Sequence, residues 1–401
     1  MTEKQKVSMN FPSGHDAHGL ELPTPDDDAI AHSTRLAGVI ADRIESRGGV
    51  IGFDEYMHLA LYEPGLGYYS STTPKFGAQG DFVTAPEISP LFGFCIAQQI
   101  AAVIAQGCGA RVLEFGAGSG KLCAQILNAL PGLEAYQILD LSADLRQRQQ
   151  AQLQQELSAE LFHKIEWLSS LPQEFDGIVL ANEVLDAMPV HILSKQGNWR
   201  ECGVGYDGQR FSWHNFAPEA PVMDAIRSIE SHLGEFADGY TCELNLNYRP
   251  WFKALAEVCK RALVMIIDYG YEQDQYYHPT RKRGTLTCHY QHRVHGDPLI
   301  YPGLQDITAF VDFDACADAA EENGFELSGL VNQGSFLIAN GLLEESQRLA
   351  DESDIQARIA ISKQVGTLTL PQEMGEKFKV LAMQKNIALE LPAMQRKGAY
   401  G

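Results

Sequence analysis

The first quarter of the chain has the residue spacing of amphipathic helices. Apolar residues recur every three or four positions over residues 31–45 and again over residues 53–61, and a third such stretch covers residues 91–106. This spacing predicts three helices. The loop between the second and third, residues 62–80, is rich in glycine and tyrosine and is too long for a simple connection, which is typical of a functional loop.

From residue 111 onward, short apolar runs alternate with helical spacing. The runs cover residues 111–115, 136–141, 165–168, 177–181 and 262–268, and helices are predicted from residue 121 and over residues 144–157. Such alternation is typical of an α/β fold, in which helices cover both faces of a mostly parallel sheet. We therefore predict this fold for the central part of the chain.

Two stretches interrupt that alternation. Residues 189–217 contain short runs punctuated by glycine, asparagine and aspartate, including the hairpin signal Asp207-Gly208, and this predicts an antiparallel insertion. Residues 272–302 form a second, polar insertion. We expect a disordered or loosely attached tail (1–30), an N-terminal helical cap with the aromatic loop (31–108), a core (109–340) with insertions at 189–240 and 272–305, and a C-terminal helical extension (341–401).

The composition and net charge of the chain argue against several classes of protein. The chain has 401 residues and a formal net charge of −21, which repels nucleic acid and anionic lipid. No apolar run reaches the roughly 18 to 20 residues that cross a bilayer, so we expect neither nucleic-acid binding nor membrane insertion. The eight cysteines include no Cys-x-x-Cys pair, which favours a reducing compartment without a zinc site. We expect a cytoplasmic protein with no bound metal.

The most informative motif is Gly116-Ala117-Gly118-Ser119-Gly120, which joins a predicted strand to a predicted helix. Glycines allow a tight turn there and leave main-chain N–H groups open to a ligand. An acidic residue, Glu114, lies just before the turn, and a second, Asp140, lies at the end of the next predicted strand. The predicted cofactor-binding residues are Glu114, Gly116, Gly118, Gly120, Asp140, Leu141, Asn182 and Asp81.

The turn does not match the two commonest phosphate-binding motifs. A dinucleotide fingerprint needs glycine at Lys121, and a P-loop needs glycine at Phe115 and serine or threonine at Leu122. A ribose-bearing zwitterion without a diphosphate suits the motif better, because Asp140 can accept both ribose hydroxyls while the glycines face the rest of the ligand. S-adenosylmethionine fits this description best. The alternative is a glycine-rich connection without a ligand.

A polar cluster follows the strand predicted over residues 177–181. Asn182, Glu183 and Asp186 lie at its carboxyl end, where ligands bind in open parallel sheets. If a helical turn starts there, Glu183 and Asp186 share a face and can hold one cation. The alternative interpretation is a helix N-terminus, where asparagine caps and acidic residues suit the helix dipole.

Paired carboxylates suit a methyl transfer to arginine. The guanidinium has a pKa of roughly 12 to 14, so a site must orient it and accept a proton. Two carboxylates can do both through bidentate hydrogen bonds. We therefore predict Glu183 and Asp186 as catalytic residues. His292, in the second insertion, is the predicted proton acceptor or orienting group.

Several longer motifs resemble the MidA-like family of S-adenosylmethionine-dependent methyltransferases. They include Phe53-Asp54-Glu55-Tyr56-Met57, the tyrosine-containing segment 62–69, the segment 80–93, the glycine turn, residues 181–190, Ile267-Asp268-Tyr269-Gly270, Gly284-Thr285-Leu286, residues 306–313 and residues 372–381. The resemblance covers most of the chain after the tail. It implies a class I methyltransferase fold, which is Rossmann-like, with S-adenosyl-L-methionine as cofactor.

The resemblance also implies a substrate class. Mitochondrial members of this family act in the assembly of respiratory complex I, so arginine methylation of a protein, such as a respiratory complex subunit, is the leading hypothesis. A small-molecule methyltransferase and a non-catalytic assembly or binding factor are the alternatives. A nucleotide-dependent oxidoreductase is the last alternative, and the missing third glycine at Lys121 counts against it. The chain departs from the family at residues 287–290, within the second insertion, and this leaves the target open. Dimerisation through the antiparallel insertion is also left open.

Overall fold

The computed structural model describes residues 15–71, 83–140 and 143–395. Besides two short 3₁₀ helices, this part of the chain forms a series of α-helices that agrees well with the predicted ones. The helices are α1 (Asp27–Ser46), α2 (Phe53–Tyr62), α3 (Ala85–Ile88), α4 (Pro90–Ile104), α5 (Lys121–Ala129), α6 (Ala143–Glu156), α7 (Ala159–Phe162), α8 (Ala220–Leu233), α9 (Tyr248–Val258), α10 (Gln273–Tyr276), α11 (Phe313–Glu322), α12 (Gln333–Ala339), α13 (Leu342–Asp351) and α14 (Ile355–Thr369).

The same residues form strands that belong to three sheets. The strands are β1 (Ile51–Gly52), β2 (Arg111–Phe115), β3 (Ala135–Leu139), β4 (Ile165–Leu168), β5 (Phe175–Asn182), β6 (His191–Gln196), β7 (Asn198–Tyr206), β8 (Phe211–Phe216), β9 (Thr241–Leu244), β10 (Cys259–Tyr271), β11 (Thr287–Tyr290), β12 (Arg293–His295), β13 (Asp306–Thr308), β14 (Val311–Asp312), β15 (Glu326–Asn332) and β16 (Phe378–Lys385).

The chain divides into two compact units, each built from several stretches of sequence. The core unit comprises the described residues of Val83–Leu185, Tyr248–Gly270 and Phe313–Gly401. The insertion unit comprises those of Met1–Phe82, Asp186–Asn247 and Tyr271–Asp312. Each unit therefore combines residues that are far apart in the sequence.

The core unit contains a sheet in the order β15-β16-β10-β5-β2-β3-β4. Strands β10, β5, β2, β3 and β4 are parallel neighbours, which confirms the predicted mostly parallel sheet. The runs Ile178–Ala181 and Ala262–Ile267 are almost completely buried, as expected for strands covered on both faces. The chain passes from β2 outward to β4 and returns as β5 on the other side of β2, so the strand order reverses between β2 and β5.

The C-terminal segment differs from its prediction as a helical extension. Helices α13 and α14 are present, but Phe378–Lys385 forms β16, which pairs antiparallel with both β10 and β15. Its buried centre, Val380 to Met383, is a short apolar run. Such a run is compatible with either a helix or a strand, and here the two flanking strands decide in favour of the sheet.

The expected loose tail does not extend over residues 15–30. Asp16 is 4% exposed and accepts hydrogen bonds from the amides of His18 and Leu20. Its other oxygen pairs with Arg293 at 2.7 Å. Helix α1 begins at Asp27, where Asp26 caps it by accepting from the Ala29 amide. Residues 1–14 lie outside the described part of the chain.

The insertion unit is antiparallel, as the sequence predicts for its inserted stretches. One sheet has the order β1-β7-β6-β9, with β8 paired to β7, and another has the order β12-β11-β13. Asp207 accepts from the amides of Gln209 and Arg210 and so shapes the predicted hairpin turn between β7 and β8. Helices α1 and α2 contribute Leu36, Ile40 and Phe53 to the buried cluster of this unit.

None of the helices within residues 15–71, 83–140 and 143–395 combines the length and the hydropathy of a membrane-spanning segment.

Candidate functional site

The predicted glycine turn lies at the carboxyl end of β2, next to the point where the strand order reverses. Gly116, Gly118 and Gly120 all have left-handed φ angles, of 59°, 55° and 87°. Residues with a Cβ rarely adopt this conformation, so the three glycines are required by the path of the backbone. A strand end at a reversal of strand order is where open α/β sheets bind their ligands. The structure thus places these three predicted residues in a suitable position.

The segment before α4 is hydrogen-bonded to this turn and to α5. Glu87 of α3, whose side chain is 9% exposed, accepts a hydrogen bond from the Ser119 hydroxyl at 2.6 Å and pairs with Lys121 at 2.5 Å. Gln125 of α5 donates to the carbonyl of Pro86 at 2.7 Å. The long motif around residues 83–90 therefore holds the glycine turn against α5. The predicted site residue Asp81 lies outside the described residues.

Glu114 lies in the core and is 2% exposed. Its Oε2 accepts a hydrogen bond from the Tyr136 hydroxyl of β3 at 2.9 Å. Burial raises the pKa of Glu114 to about 8, an effect that the Tyr136 hydrogen bond only partly offsets. The carboxyl group is therefore mostly protonated at neutral pH. Direct contact between Glu114 and a cofactor stays a prediction.

Asp140 follows β3 and is held by a residue that the sequence analysis missed. Gln149 of α6 is completely buried, and its Nε2 donates to Oδ2 of Asp140 and to the carbonyl oxygen of Gly118, each at 3.0 Å. Its Oε1 accepts from the indole nitrogen of Trp167 at 3.1 Å. Gln149 is one of several glutamines in α6, so no local signal distinguishes it. The predicted site residue Leu141 lies outside the described residues.

No helical turn runs across Glu183 and Asp186, so the condition under which the two carboxylates would share a helix face is not met. Strand β5 ends at Asn182, and Glu183 follows with a left-handed φ of 53°. Its amide donates to the carbonyl of Ile267 at 2.9 Å, which continues the ladder to β10 and prevents a helix from starting. Asn182 is not a helix cap. Its Nδ2 donates to Oε1 of Glu183 at 3.3 Å, and among the described residues its buried Oδ1 has no partner.

A second missed residue, Asp268 near the carboxyl end of β10, supports this loop. It is fully buried and accepts from the amide of Leu185 at 3.0 Å and from the amide of Tyr269 at 2.9 Å. An acidic residue near the end of an otherwise apolar strand is a signal that could have identified it. Asp268 sets the path of the chain just after Glu183.

Asp186 belongs to the insertion unit, where it is 5% exposed. Its carbonyl oxygen accepts from the amide of Ala309 at 2.9 Å. Nearby, the Tyr69 hydroxyl donates to Oδ1 of Asp306 at 2.8 Å. Burial raises the pKa of Tyr69 well above its usual value, and the charges of Asp306 and Asp186 add to this effect. Asp186 therefore lies in an acidic, tyrosine-containing part of its unit.

His292 occupies the two-residue turn between β11 and β12. Gln291 and His292 both have left-handed φ angles, of 45° and 61°, and both are exposed. In the same segment, burial lowers the pKa of His289 and lowers that of His295 to about 4. These two histidines are therefore neutral at pH 7. The catalytic role of His292 stays a prediction.

The Gly284-Thr285-Leu286 motif closes over a buried carboxylate. Glu243 is 1% exposed and accepts from the amide and hydroxyl of Thr285 at 2.8 and 3.0 Å and from the amide of Leu286 at 3.2 Å. Burial raises the pKa of Glu243 more than these hydrogen bonds lower it. A Cβ on Gly284 would lie 2.0 Å from Oε1 of Glu243. Part of the predicted substrate insertion is thus structural.

One group of potential metal donors occurs among the described residues. Donor atoms of Asp54, His191 and Glu201 lie within 4.8 Å of one another. His191 Nδ1 donates to Oε1 of Glu201 at 2.7 Å and lies 3.6 Å from Oδ1 of Asp54. Burial lowers the pKa of His191, but the two carboxylates outweigh it and the net shift is upward. His191 thus lies between the two carboxylates and is hydrogen-bonded to Glu201.

These features define the class of protein. A mostly parallel α/β sheet carries a three-glycine turn where its strand order reverses, with a carboxylate at the tip of the adjacent strand. The turn depends on the left-handed φ angles of its glycines, which leave no Cβ over its main-chain atoms. In the neighbouring strand β5, the buried Asn182 oxygen has no partner among the described residues and offers an acceptor. The residues present therefore fit a nucleoside cofactor.

Known proteins agree with this class. Residues 95–331 match a family of S-adenosyl-L-methionine-dependent methyltransferases. The chain is 30% identical over 382 residues to the protein arginine methyltransferase NDUFAF7, mitochondrial, of Danio rerio, covering 84% of this chain and 83% of the relative. It is 29% identical over 412 residues to the Drosophila melanogaster homolog, covering 91% and 89%.

Solved structures agree as well. A protein from Burkholderia thailandensis, described as a candidate methyl transferase and bound to S-adenosyl-homocysteine, is 41% identical with a TM-score of 0.88. That match covers 94% of this chain and 98% of the other. A native structure from the same organism gives a TM-score of 0.85.

The chain belongs to the MidA-like family of S-adenosyl-L-methionine-dependent methyltransferases. It has the class I methyltransferase fold predicted from its sequence, and its cofactor is S-adenosyl-L-methionine.

Proposed function

We propose that this methyltransferase acts on an arginine side chain of a protein. The relatives named above are protein arginine methyltransferases, which supports this acceptor. The observation that carries the proposal is the conformation of Glu183, which directly follows β5 with a φ of 53°. Backbone strain of this kind costs about 1 to 3 kcal/mol and is concentrated at functional sites.

Bound S-adenosyl-L-methionine supplies the methyl group and, through its sulfonium, the driving force for transfer. The protein must position the acceptor nitrogen and take up a proton. Glu183 presents a carboxylate on a rigid support, because its amide is tied to Ile267 and Asn182 donates to its side chain. A carboxylate fixed in this way can orient a guanidinium by hydrogen bonds and stabilise its charge.

Asp186 and His292 complete the proposed catalytic set. Asp186 follows Glu183 by three residues and supplies a second carboxylate for the guanidinium. His292 accepts or relays the proton in this proposal, and its exposed side chain is open to solvent. We extend the proposal to a cytoplasmic protein substrate of basic character, such as a respiratory complex subunit.

Substitution of the two carboxylates tests the proposal. We expect Glu183→Gln and Asp186→Asn each to lower methyl transfer by at least about 100-fold, because each removes a charge that positions and stabilises the guanidinium. The affinity for S-adenosyl-homocysteine, measured by calorimetry, should stay close to that of the wild type. The matched control is Asp224→Asn on the surface of α8, where the carboxylate is 74% exposed.

The assay uses labelled S-adenosyl-L-methionine and a cell lysate, followed by hydrolysis and chromatography of the labelled amino acids. The proposal requires label in methylarginine. Label in another amino acid, or normal transfer by both variants, would contradict it. Label confined to small molecules would favour the small-molecule alternative, and cofactor binding without any transfer would favour the non-catalytic factor.

A further inference from the structure

Gln149 connects the two parts of the cofactor site that the sequence predicts separately. From α6 its Nε2 reaches both the carbonyl oxygen of Gly118, in the glycine turn, and Oδ2 of Asp140, at the tip of β3. The side chain is 0% exposed. Burying an amide is favourable only when its polar atoms find partners, and here both Nε2 and Oε1 do.

Trp167 fixes the orientation of this amide. The indole nitrogen can only donate a hydrogen bond, so the atom of Gln149 that faces it at 3.1 Å must be the oxygen. The NH₂ group must then face Gly118 and Asp140. Since an NH₂ group donates, Oδ2 of Asp140 is held as a hydrogen-bond acceptor. The chain of contacts from Trp167 to Asp140 thus has one consistent hydrogen-bond direction.

We infer that Gln149 is a positioning residue for the cofactor, acting through Asp140 and anchored on the carbonyl oxygen of Gly118. It holds the carboxylate that is expected to bind the ribose hydroxyls at a set distance from the turn that faces the rest of the cofactor. A site arranged before binding loses less entropy when the ligand enters. The inference rests on the cofactor and on the expected contact between Asp140 and the ribose. It does not depend on arginine as the acceptor.

The test compares two ligands, S-adenosyl-homocysteine and its 2′,3′-dideoxy analogue, which lacks the ribose hydroxyls. In the wild type the first should bind more tightly than the second. We expect Gln149→Leu to weaken S-adenosyl-homocysteine binding by about tenfold to a hundredfold, because an ionic hydrogen bond is lost, and to change binding of the analogue little. KM for the cofactor should rise while kcat changes less.

Three further variants separate positioning from packing. Gln152→Leu on the same helix replaces a half-buried glutamine whose Nε2 donates to Glu156 rather than to Asp140 or Gly118, so both ligands should bind as in the wild type. Trp167→Phe keeps an aromatic ring but removes the N–H donor that orients the Gln149 amide. It should weaken S-adenosyl-homocysteine binding less than Gln149→Leu does, and should again change binding of the analogue little. In the double variant Asp140→Asn/Gln149→Leu, the loss of binding free energy for S-adenosyl-homocysteine should be smaller than the sum of the losses in the two single variants.

Equal weakening of both ligands by Gln149→Leu would overturn the inference, because it would indicate general damage to the site. Unchanged affinity for S-adenosyl-homocysteine would also overturn it. If Gln149→Leu does not fold, the Trp167→Phe variant decides by the same comparison of ligands. These are binding measurements without an acceptor, so they can fail while the proposed arginine methylation stands, and the reverse also holds.

Discussion

The carboxyl group of Glu114 illustrates how burial changes the chemistry of a single residue. An ordinary glutamate is ionised at neutral pH, but Glu114 is 2% exposed and has only the Tyr136 hydroxyl as a hydrogen-bond partner among the described residues. Its pKa rises to about 8 for this reason. The group therefore supports the end of β2 in its neutral form.

This shift predicts how stability depends on pH. The pKa of Glu114 is raised from 4.5 in an exposed chain to about 8 in the fold, so between these values the folded protein keeps a proton that the unfolded chain loses. Stability should fall as pH rises through this window, by about 1.4 kcal/mol per pH unit. Glutamine cannot ionise but can still accept from Tyr136. Glu114→Gln should therefore remove this part of the pH dependence.

The measurement is urea unfolding of both proteins without cofactor at about pH 5 and about pH 9. The free energy of unfolding of Glu114→Gln, relative to that of the wild type, should be much higher at about pH 9 than at about pH 5. An equal difference at both pH values would show that Glu114 does not carry the effect.

Glu183 shows which property of a single residue could be predicted from the sequence and which could not. Its position after an apolar strand identified it as a candidate, but its left-handed φ depends on the hydrogen bond from its amide to Ile267, which is more than eighty positions away in the chain. Gln149 is a similar case, since only its contacts distinguish it from neighbouring glutamines. Local sequence carries no information on such partners.

At the scale of elements, the Gly284-Thr285-Leu286 segment shows how a short motif can serve packing. Its amides and hydroxyl surround the carboxylate of Glu243 in the insertion unit. Gly284 has a left-handed φ of 72° and no room for a Cβ. The motif is therefore required by a structural contact, whatever its distance from a substrate.

Two alanine substitutions distinguish the cost of backbone strain from the cost of a steric clash with the Glu243 side chain. Gly284→Ala should destabilise the protein by clearly more than Gly208→Ala, because its Cβ would meet Glu243 at 2.0 Å. Gly208, in the hairpin between β7 and β8, has a similar φ of 94° and no heavy atom within 4 Å of the added Cβ. We expect about 1 kcal/mol for Gly208→Ala from strain alone and at least about 2 kcal/mol for Gly284→Ala.

Urea denaturation of the two variants and the wild type provides the comparison. Equal losses would mean that Glu243 moves aside at no cost, and the proposed packing role of the motif would then be incorrect.

At the scale of the whole molecule, charge is the dominant feature. Fifty-two acidic residues against thirty-one basic ones give the net charge of −21. A field of this sign attracts basic proteins and speeds their encounter with the enzyme. This charge favours the proposed basic, arginine-containing substrate.

Salt should therefore weaken recognition of the proposed basic protein substrate. Raising the ionic strength from about 0.1 M to about 1 M shortens the screening length from about 10 Å to about 3 Å. We expect KM for the protein substrate to rise several-fold while kcat changes little, in steady-state assays with labelled cofactor. A short neutral peptide that contains the same arginine is the control and should show little change. If KM for the basic substrate does not respond to salt, the net charge does not guide binding.

The sequence alone determined the parallel strands, the glycine turn, the antiparallel insertions and the cofactor. It could do so because apolar periodicity and the need for glycine at left-handed positions are local properties of the chain. Only the tertiary structure decided that Phe378–Lys385 becomes a strand between β10 and β15, that Glu183 departs from helical geometry, and that Gln149 joins Asp140 to the glycine turn. Each of these depends on hydrogen-bond partners that are distant in sequence and become neighbours only when the chain folds.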